Sequence, residues 1–110
     1  MVSDLKAFFE PEGVAVVGAS KTPGKAGHTV IENMVRIGYK GSIYAVNPGA
    51  DEVLNFKAYK SVKEIPGRVD LAVIVIPAQA VAGVVKECAE KGIRAVVIES
   101  GGFSEVDEVG

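Results

Sequence analysis

The chain has 110 residues, which predicts a single domain large enough to bury a hydrophobic core. Its 48% hydrophobic content excludes an intrinsically disordered protein, which needs low hydrophobicity and high net charge. With 12 basic and 14 acidic residues the formal net charge is -2, so the composition gives no support to bulk nucleic-acid binding.

The first predicted strand is the apolar run at 14–17, which has a glycine on either side. A short unbroken run of this kind is typical of a strand buried on both faces of a parallel sheet. A polar loop follows, and then a helix that Gly38 is placed to end. The helix is predicted from four apolar residues at the spacing of one helical face, which are Val30, Ile31, Met34 and Val35.

The second predicted strand is 42–46, and a turn sequence closes it. A weaker segment at 57–59 predicts a short strand at the edge of the sheet. Ser61 and Glu64 have the spacing of a capping box, which predicts a helix start. Pro66 limits that helix to about one turn.

The strongest strand prediction is 71–76, because the segment is rich in β-branched residues and ends at Pro77. The longest apolar stretch, 71–85, is interrupted by Pro77 and Gln79, and a membrane span needs about 20 predominantly apolar residues. The first ten residues lack the apolar core of a signal peptide. Cys88 is the single cysteine, so no intrachain disulfide can form. A soluble protein of the reducing cytoplasm is predicted.

A second long helix is predicted from an apolar stripe, which is Val81, Val84, Val85 and Cys88. Cys88 is therefore expected to be a core residue rather than a reactive thiol. Glu87 and Lys91 have the spacing of a favourable i, i+4 pair, and Gly92 is a helix stop. A last buried strand is predicted at 94–98.

Strands that alternate with helices predict a fold of the α/β class, a doubly wound Rossmann-like parallel sheet of about five strands with helices on both faces. This domain is expected to occupy residues 1–103. Ser104 is a good N-cap, with Asp107 three residues later, so 104–110 is predicted to begin a helix. We expect that helix to lead toward a further domain.

Ligands of open α/β sheets bind outside the carboxyl ends of the strands, which selects the loops 18–27, 47–49, 77–79 and 99–102. In the first loop Gly18, Gly24 and Gly27 permit tight turns and close approach of the backbone. The N–H groups of the following helix end make a site for phosphate, and Lys21 and Lys25 add positive charge. The alternative is a solvated surface loop with two ordinary lysines.

The loop does not spell the NAD fingerprint, which is G-x-G-x-x-G with an acidic residue at the end of the second strand. The loop reads GASKTPGKAG, and the second strand ends in Val46 and Asn47. Asn47 brings hydrogen-bonding groups for a base or ribose but no charge. Asp51 comes several residues late and is expected to cap a short turn. No His, Cys and carboxylate spacing predicts a metal site.

Five segments in this order resemble the CoA-binding domain of ADP-forming acetyl-CoA synthetases, which also opens the alpha subunit of succinyl-CoA synthetases. The segments are VAVVGAS, KTPGKAG, YAVNP, VDLAVIVIPAQAV and VVIESGGF, and the resemblance covers roughly residues 9–109. It implies that coenzyme A is the ligand. Members of the family often carry a lysine where this chain has Gly49, so that phosphate contact is missing here or is provided by Lys21, Lys25 or Lys57.

Carried over by position, the resemblance implies four groups of CoA-binding residues. The phosphate loop is Gly18, Ser20, Gly24, Lys25 and Ala26. The residues beside the adenine or ribose are Val46, Asn47 and Pro48. The path of the pantetheine arm is lined by Ile76, Pro77 and Ala78, with Ile98, Glu99 and Ser100 beside it.

The resemblance also implies the reaction acyl-CoA + ADP + phosphate = acid + CoA + ATP. It implies that the reaction passes through a phosphohistidine, which belongs to a downstream succinyl-CoA-synthetase-like domain. A further implied partner is an ATP-grasp domain or subunit. His28 does not match that histidine and is expected to be a partly exposed residue at a helix end. No catalytic residue is predicted in this chain, and Glu99 is equally compatible with a loop-capping role. Two alternatives stay open, a stand-alone CoA-binding protein and an NAD(P)-binding domain of an oxidoreductase or redox sensor.

Overall fold

The computed structural model describes residues 10–99, in which six strands form one sheet in the order β3-β4-β2-β1-β5-β6. The strands are β1 Gly13–Val17, β2 Ser42–Val46, β3 Glu52–Val53, β4 Phe56–Tyr59, β5 Leu71–Ile74 and β6 Ala95–Ile98. Two α-helices, α1 Ala26–Arg36 and α2 Ala78–Lys91, and a 3₁₀ turn, Val62–Glu64, connect them. All neighbouring strands are parallel except β3 and β4.

The helices cover both faces of the sheet, so the predicted doubly wound fold is confirmed. Strand β1 lies at the centre and every one of its residues is buried, as its unbroken apolar sequence predicts. On one face Val14 and Val16 share a core cluster with Ile31 of α1. On the other face Ala15 and Val17 share a cluster with Cys88 of α2.

The segment predicted as an edge strand is not at the edge. Strand β4 pairs with β2 on one side and with the two-residue strand β3 on the other. Leu54 and Asn55 make the turn between β3 and β4 with positive φ angles of 50° and 70°. Two positive φ angles match the twist of a tight hairpin, and asparagine tolerates this conformation better than most residues. The sheet therefore has one strand more than predicted.

Glycines end both helices, as predicted. Gly38 has a φ of 79° and Gly92 a φ of 93°, a left-handed conformation that glycine adopts without steric cost. The predicted apolar face of α1 is wrong at one position, because Val35 is 54% exposed while Ile31 is completely buried. Val35 lies one turn after Ile31, at the border of the helix face that packs on the sheet, and solvent reaches its side chain there.

Helix α2 is tied to the 3₁₀ turn rather than by the predicted pair of Glu87 and Lys91. Lys91 Nζ donates to the carbonyl oxygen of Ile65 at 2.7 Å, and Glu87 Oε1 accepts from the Ser61 hydroxyl at 2.9 Å. Ser61 also accepts from the N–H of Lys63 at 3.1 Å, so its predicted capping role is confirmed. Both α2 side chains find partners across the layer instead of along the helix.

A buried carboxylate joins β1 to the start of β5. Asp70 is 5% exposed, and its Oδ2 accepts from the N–H groups of Glu12 at 2.8 Å and Gly13 at 3.2 Å. The guanidinium of Arg68 donates to Oδ1 at 2.8 Å. Burial alone would raise the pKa of Asp70, but these donors outweigh it and hold the pKa below its ordinary value.

Cys88 lies in the core, as predicted, where it is 1% exposed. Burial, with a smaller contribution from the Glu87 carboxylate, raises the pKa of its thiol to about 11. Because the thiolate is the reactive species, we expect Cys88 in the folded chain to resist an aromatic disulfide reagent at pH 8. Its rate of modification should rise with urea in parallel with global unfolding. Full modification within seconds in the absence of urea would contradict this placement.

Within residues 10–99 no helix has the length and apolar character needed to cross a membrane. The predicted helix at 104–110 and the boundary at 103 lie outside the described residues.

Candidate functional site

The strand order reverses between β1 and β5, and the candidate site lies at their carboxyl ends. The chain runs outward from β1 through β2 to β4 and then returns to place β5 on the other side of β1. Gly18 leaves β1 so close to β5 that a Cβ atom there would overlap the carbonyl oxygen of Val75. A reversal of strand order leaves a crevice between the diverging loops, which is the usual ligand position in such sheets.

A crevice of about 490 Å³ opens at this edge. That volume is within the usual range of sites for small molecules and cofactors. Seven of the predicted site residues line it, which are Gly18, Ser20, Val46, Asn47, Pro48, Ile76 and Pro77. Three loops that are far apart in sequence therefore converge on one concave surface.

The loop after β1 is held against the end of β2 by its backbone. The N–H groups of Gly18 and Ala19 both donate to the carbonyl oxygen of Val46, at 3.0 and 3.2 Å. The N–H of Thr22 donates to the Ser20 hydroxyl oxygen at 3.0 Å. Because the Ser20 oxygen accepts that bond, its own O–H stays available to donate into the crevice.

Helix α1 packs directly on this loop at Gly27. A Cβ atom on Gly27 would overlap the carbonyl group of Gly18 and would lie 2.9 Å from Cα of Ala19. Gly27 thus permits close approach of the helix to its own loop, whereas the prediction assigned this freedom to the approach of a ligand. Gly24 has open space around it, and only its φ of 95° requires glycine.

The first turn of α1 provides unsatisfied donors and no opposing charge. Its N-cap, Lys25, makes no side-chain capping hydrogen bond, and the first turn contains no acidic residue. The first N–H groups of an α-helix have no partner inside the helix and carry partial positive charge. Lys21 and Lys25 flank this end in an exposed loop.

Asn47 links the first two loops. Its Nδ2 donates to the carbonyl oxygen of Ala19 at 2.8 Å, and its Oδ1 accepts from the N–H of Gly49 at 2.7 Å. One N–H and one lone pair of the amide remain for a ligand. The side chain therefore shapes the crevice as well as lining it, a role that the sequence pattern did not reveal.

The other predicted site residues that the structure describes lie beside the crevice rather than in its wall. Gly24, Lys25 and Ala26 continue the first loop into α1, and Ala78 is the exposed first residue of α2. Ile98 is paired with Ile74 at the end of β6, and the N–H of Glu99 donates to the Ile74 carbonyl oxygen at 2.7 Å. Ser100 is outside the described residues.

The crevice has further walls that the sequence analysis missed. They come from the segment after β4 and from α2, and they are Lys60, Ser61, Val62, Ala80, Val84 and Glu87. The carboxyl-edge rule applied to β4 would have found Lys60, because β4 was predicted as a strand. Glu87 lies in the third turn of α2, and only the packing of α2 against the 3₁₀ turn brings it to the crevice.

His28 is buried and not partly exposed as predicted. It is 6% exposed, and its Nδ1 has no hydrogen-bond partner among the described residues. The nearest acidic atom is Oε1 of Glu32, 4.0 Å away on the next turn of α1. His28 does not line the crevice. The absence of a catalytic role for His28 remains a prediction.

A larger groove of about 860 Å³ lies at the opposite edge, where the strands begin. Its walls are mainly apolar and include Val30, Met34, Ile37 and Leu71. No predicted site residue that the structure describes lines this groove. The carboxyl-edge crevice is therefore the candidate site, although it is the smaller of the two.

The chain matches the family model of the CoA binding domain over residues 12–109. The chain belongs to this CoA-binding domain family. It is 49% identical over 109 residues to acetate–CoA ligase [ADP-forming] II of Archaeoglobus fulgidus, covering 99% of the chain and 16% of that protein. It is 49% identical over 110 residues to the acetate–CoA ligase [ADP-forming] I subunit alpha of Pyrococcus furiosus, covering 96% of the chain and 24% of that subunit.

Solved structures agree with this membership. The dinucleotide forming acetyl-coenzyme A synthetase 1 of Ca. Korarchaeum cryptofilum superposes with a TM-score of 0.86 at 42% identity, over 93% of this chain and 22% of that one. The Rossmann-like fold and the family resemblance read from the sequence are thus confirmed. This CoA-binding domain spans no more than a quarter of the length of these relatives.

No group of three or more metal-ligating side chains occurs within residues 10–99.

Proposed function

We propose that this chain binds coenzyme A in the carboxyl-edge crevice and is the CoA-holding domain of an ADP-forming acyl-CoA synthetase. The observation that carries the proposal is the convergence of the loops after β1, β2 and β5 on one crevice of about 490 Å³ in a chain of the CoA-binding domain family. Relatives with acetate–CoA ligase names support the choice of synthetase.

The diphosphate of CoA fits the loop after β1. Residues 18–26 contain two lysines and no carboxylate, and the uncapped end of α1 presents backbone donors. A diphosphate is a strong hydrogen-bond acceptor, so it favours helix N-terminal N–H groups and nearby ammonium groups. In this proposal Gly18, Ser20, Gly24, Lys25 and Ala26 hold the diphosphate.

The adenosine fits the part of the crevice between the end of β2 and α2. The half-buried Val84 supplies an apolar wall against which a flat base can pack, and the buried side chains of Val46 and Val62 lie behind the crevice surface. The remaining Asn47 amide groups and the second oxygen of Glu87 are hydrogen-bonding partners for a base or ribose. Pro48 closes the rim on the β2 side.

The pantetheine arm is proposed to leave along the end of β5. Ile76 and Pro77 line the crevice there, and Ala78 follows at the start of α2. Ile98 ends the neighbouring strand β6 in register with Ile74, and Glu99 follows it with its N–H bonded to the Ile74 carbonyl oxygen. Ser100 is assigned to the same path by position alone.

The reaction assigned to the whole enzyme is acyl-CoA + ADP + phosphate = acid + CoA + ATP. The part of this chain is to bind and orient CoA, while the phosphohistidine belongs to a succinyl-CoA-synthetase-like domain and nucleotide exchange to an ATP-grasp domain or subunit. A cytoplasmic location suits this metabolism. The stand-alone CoA-binding protein remains the second candidate, and it shares the same site.

Calorimetric titration of the 110-residue chain with CoA, NAD and ADP at matched ionic strength tests the proposal. We expect saturable binding of CoA in preference to NAD. Lys25→Ala should weaken CoA binding about five- to tenfold, because it removes one ammonium group near the diphosphate. The matched control is Lys40→Ala, since Lys40 is an exposed lysine at the opposite edge of the sheet.

Saturable binding of NAD without CoA binding by the folded chain would overturn the proposal and favour an NAD-binding domain. Equal loss of CoA affinity in the Lys25 and Lys40 variants would reject the placement of the diphosphate at the first loop while leaving CoA as the ligand.

A further inference from the structure

Lys60 is the cationic residue among the described walls of the crevice. Several other basic side chains of the described range have partners: Lys63 pairs with Glu90, Lys91 with the Ile65 carbonyl oxygen, and Arg68 with Asp70. The Lys60 side chain makes no hydrogen bond or ion pair with any residue between 10 and 99. The Lys60 side chain is exposed where it lines the crevice, so its ammonium group is accessible to an anionic group of a bound ligand.

The sheet register places Lys60 beside the loop after β2. Val46 is paired with Tyr59 on the parallel strand β4, and the N–H of Asn47 donates to the Tyr59 carbonyl oxygen at 2.9 Å. The residues that follow each strand therefore stand at the same level, with Lys60 next to Asn47 and Pro48. The β2 loop itself contributes no charge, because its sequence is Asn47, Pro48 and Gly49.

Two separate cationic positions result at this edge. Lys21 and Lys25 follow β1, Lys60 follows β4, and the uncharged end of β2 lies between them. Two strand spacings separate the ends of β1 and β4 by about 10 Å. A nucleotide that carries phosphates on both the 5′ and the 3′ oxygens of one ribose needs two such positions, one on each side of the sugar.

We propose that Lys60 binds the 3′-phosphate of CoA and so makes the site select CoA over nucleotides that lack this group. The inference rests on the proposed CoA-binding function. Lys57, a candidate for this contact from the sequence, lies 5.3 Å from the centre of the Tyr59 ring and does not line the crevice. Glu87 lines the same crevice, but the Ser61 hydroxyl binds its Oε1 and Lys60 does not pair with it.

The test compares CoA with dephospho-CoA, which differs only by the absence of the 3′-phosphate. The chain and its variants are titrated calorimetrically with each ligand at matched ionic strength. Lys60→Ala is expected to weaken CoA binding about tenfold and to leave dephospho-CoA binding unchanged, because the lost contact is a charge-assisted hydrogen bond to the 3′-phosphate. Lys60→Arg should restore most of the preference for CoA.

The matched control is Lys57→Ala, which removes an equal charge from β4 itself, just before Lys60 and outside the crevice. It should weaken neither ligand by more than about twofold, since exposed charges act weakly through screened solvent. Equal effects of Lys60→Ala on both ligands, or no effect on either, would overturn the assignment of Lys60 while CoA binding persists. Failure of the unchanged chain to bind either ligand would instead reject the proposed function together with the inference.

Discussion

Replacement of Gly27 by alanine is expected to destabilise the folded chain by about 3 kcal/mol and to weaken CoA binding more than tenfold. The added Cβ atom would overlap the carbonyl group of Gly18 and would lie 2.9 Å from Cα of Ala19. Backbone atoms cannot rotate away as a side chain can, so α1 or the loop must move, and overpacking of this kind costs roughly 1–3 kcal/mol or more. The measurements are urea unfolding followed by circular dichroism and titration with CoA.

Gly83→Ala is the matched control, because it adds the same methyl group to a glycine inside a helix. A Cβ atom on Gly83 has no neighbour within 4 Å, and the residue is exposed on α2. Alanine has the higher helix propensity, so this variant is expected to be up to about 1 kcal/mol more stable than the unchanged chain. Wild-type stability and affinity in Gly27→Ala would show that α1 does not rest on the loop after β1.

The binding loss expected for Gly27→Ala connects the core to the crevice. Gly18 and Ala19 line the crevice and are held by hydrogen bonds to the Val46 carbonyl oxygen. A shift of this loop would break those bonds and displace the Ser20 hydroxyl with them. The same backbone contact thus supports both the packing of α1 and the position of the proposed phosphate loop.

Strands β1, β5 and β6 were predictable because each is an apolar run long enough to be recognised alone. Strand β1 is buried on both faces, and the unbroken apolar run that this requires is visible in the sequence without knowledge of the neighbouring strands. Strand β3 was missed because only Glu52 and Val53 belong to it, too few residues for a pattern. Its existence depends on the turn at Leu54 and Asn55, whose left-handed conformation the sequence favours only at asparagine.

The site residues that follow strand ends could be predicted from the sequence. The site residues that tertiary packing brings to the crevice could not. The loops after β1, β2 and β5 follow recognisable strands, so the carboxyl-edge rule finds them. Glu87 reaches the crevice because Ser61, 26 residues earlier, binds its carboxylate. Tertiary contacts of this kind leave no local signal. Burial of His28 was missed for the same reason, since its position at a helix start gives no information on what covers it.

Asp70→Asn is expected to lower the free energy of unfolding by about 2–3 kcal/mol at pH 7, because hydrogen bonds to a buried charged group contribute about that much. The carboxylate accepts from two backbone N–H groups and from Arg68. An asparagine in the same place would turn N–H groups toward at least one of these donors. Urea unfolding of both proteins from pH 7 to pH 2 measures the difference.

The pH dependence separates this charged contact from mere packing. The pKa of Asp70 is lowered in the folded state, so its contribution is fully present above the ordinary carboxyl pKa of about 3.9. That contribution is lost as the pH falls through this value toward the folded-state pKa, because protonation then favours the unfolded chain. The difference in stability between the unchanged chain and Asp70→Asn should therefore shrink with acid. The exposed carboxylate of Asp51 provides the control Asp51→Asn, whose stability at pH 7 should match that of the unchanged chain. A difference for Asp70→Asn that stays constant down to pH 2 would mean that shape, and not charge, holds the start of β1 against β5.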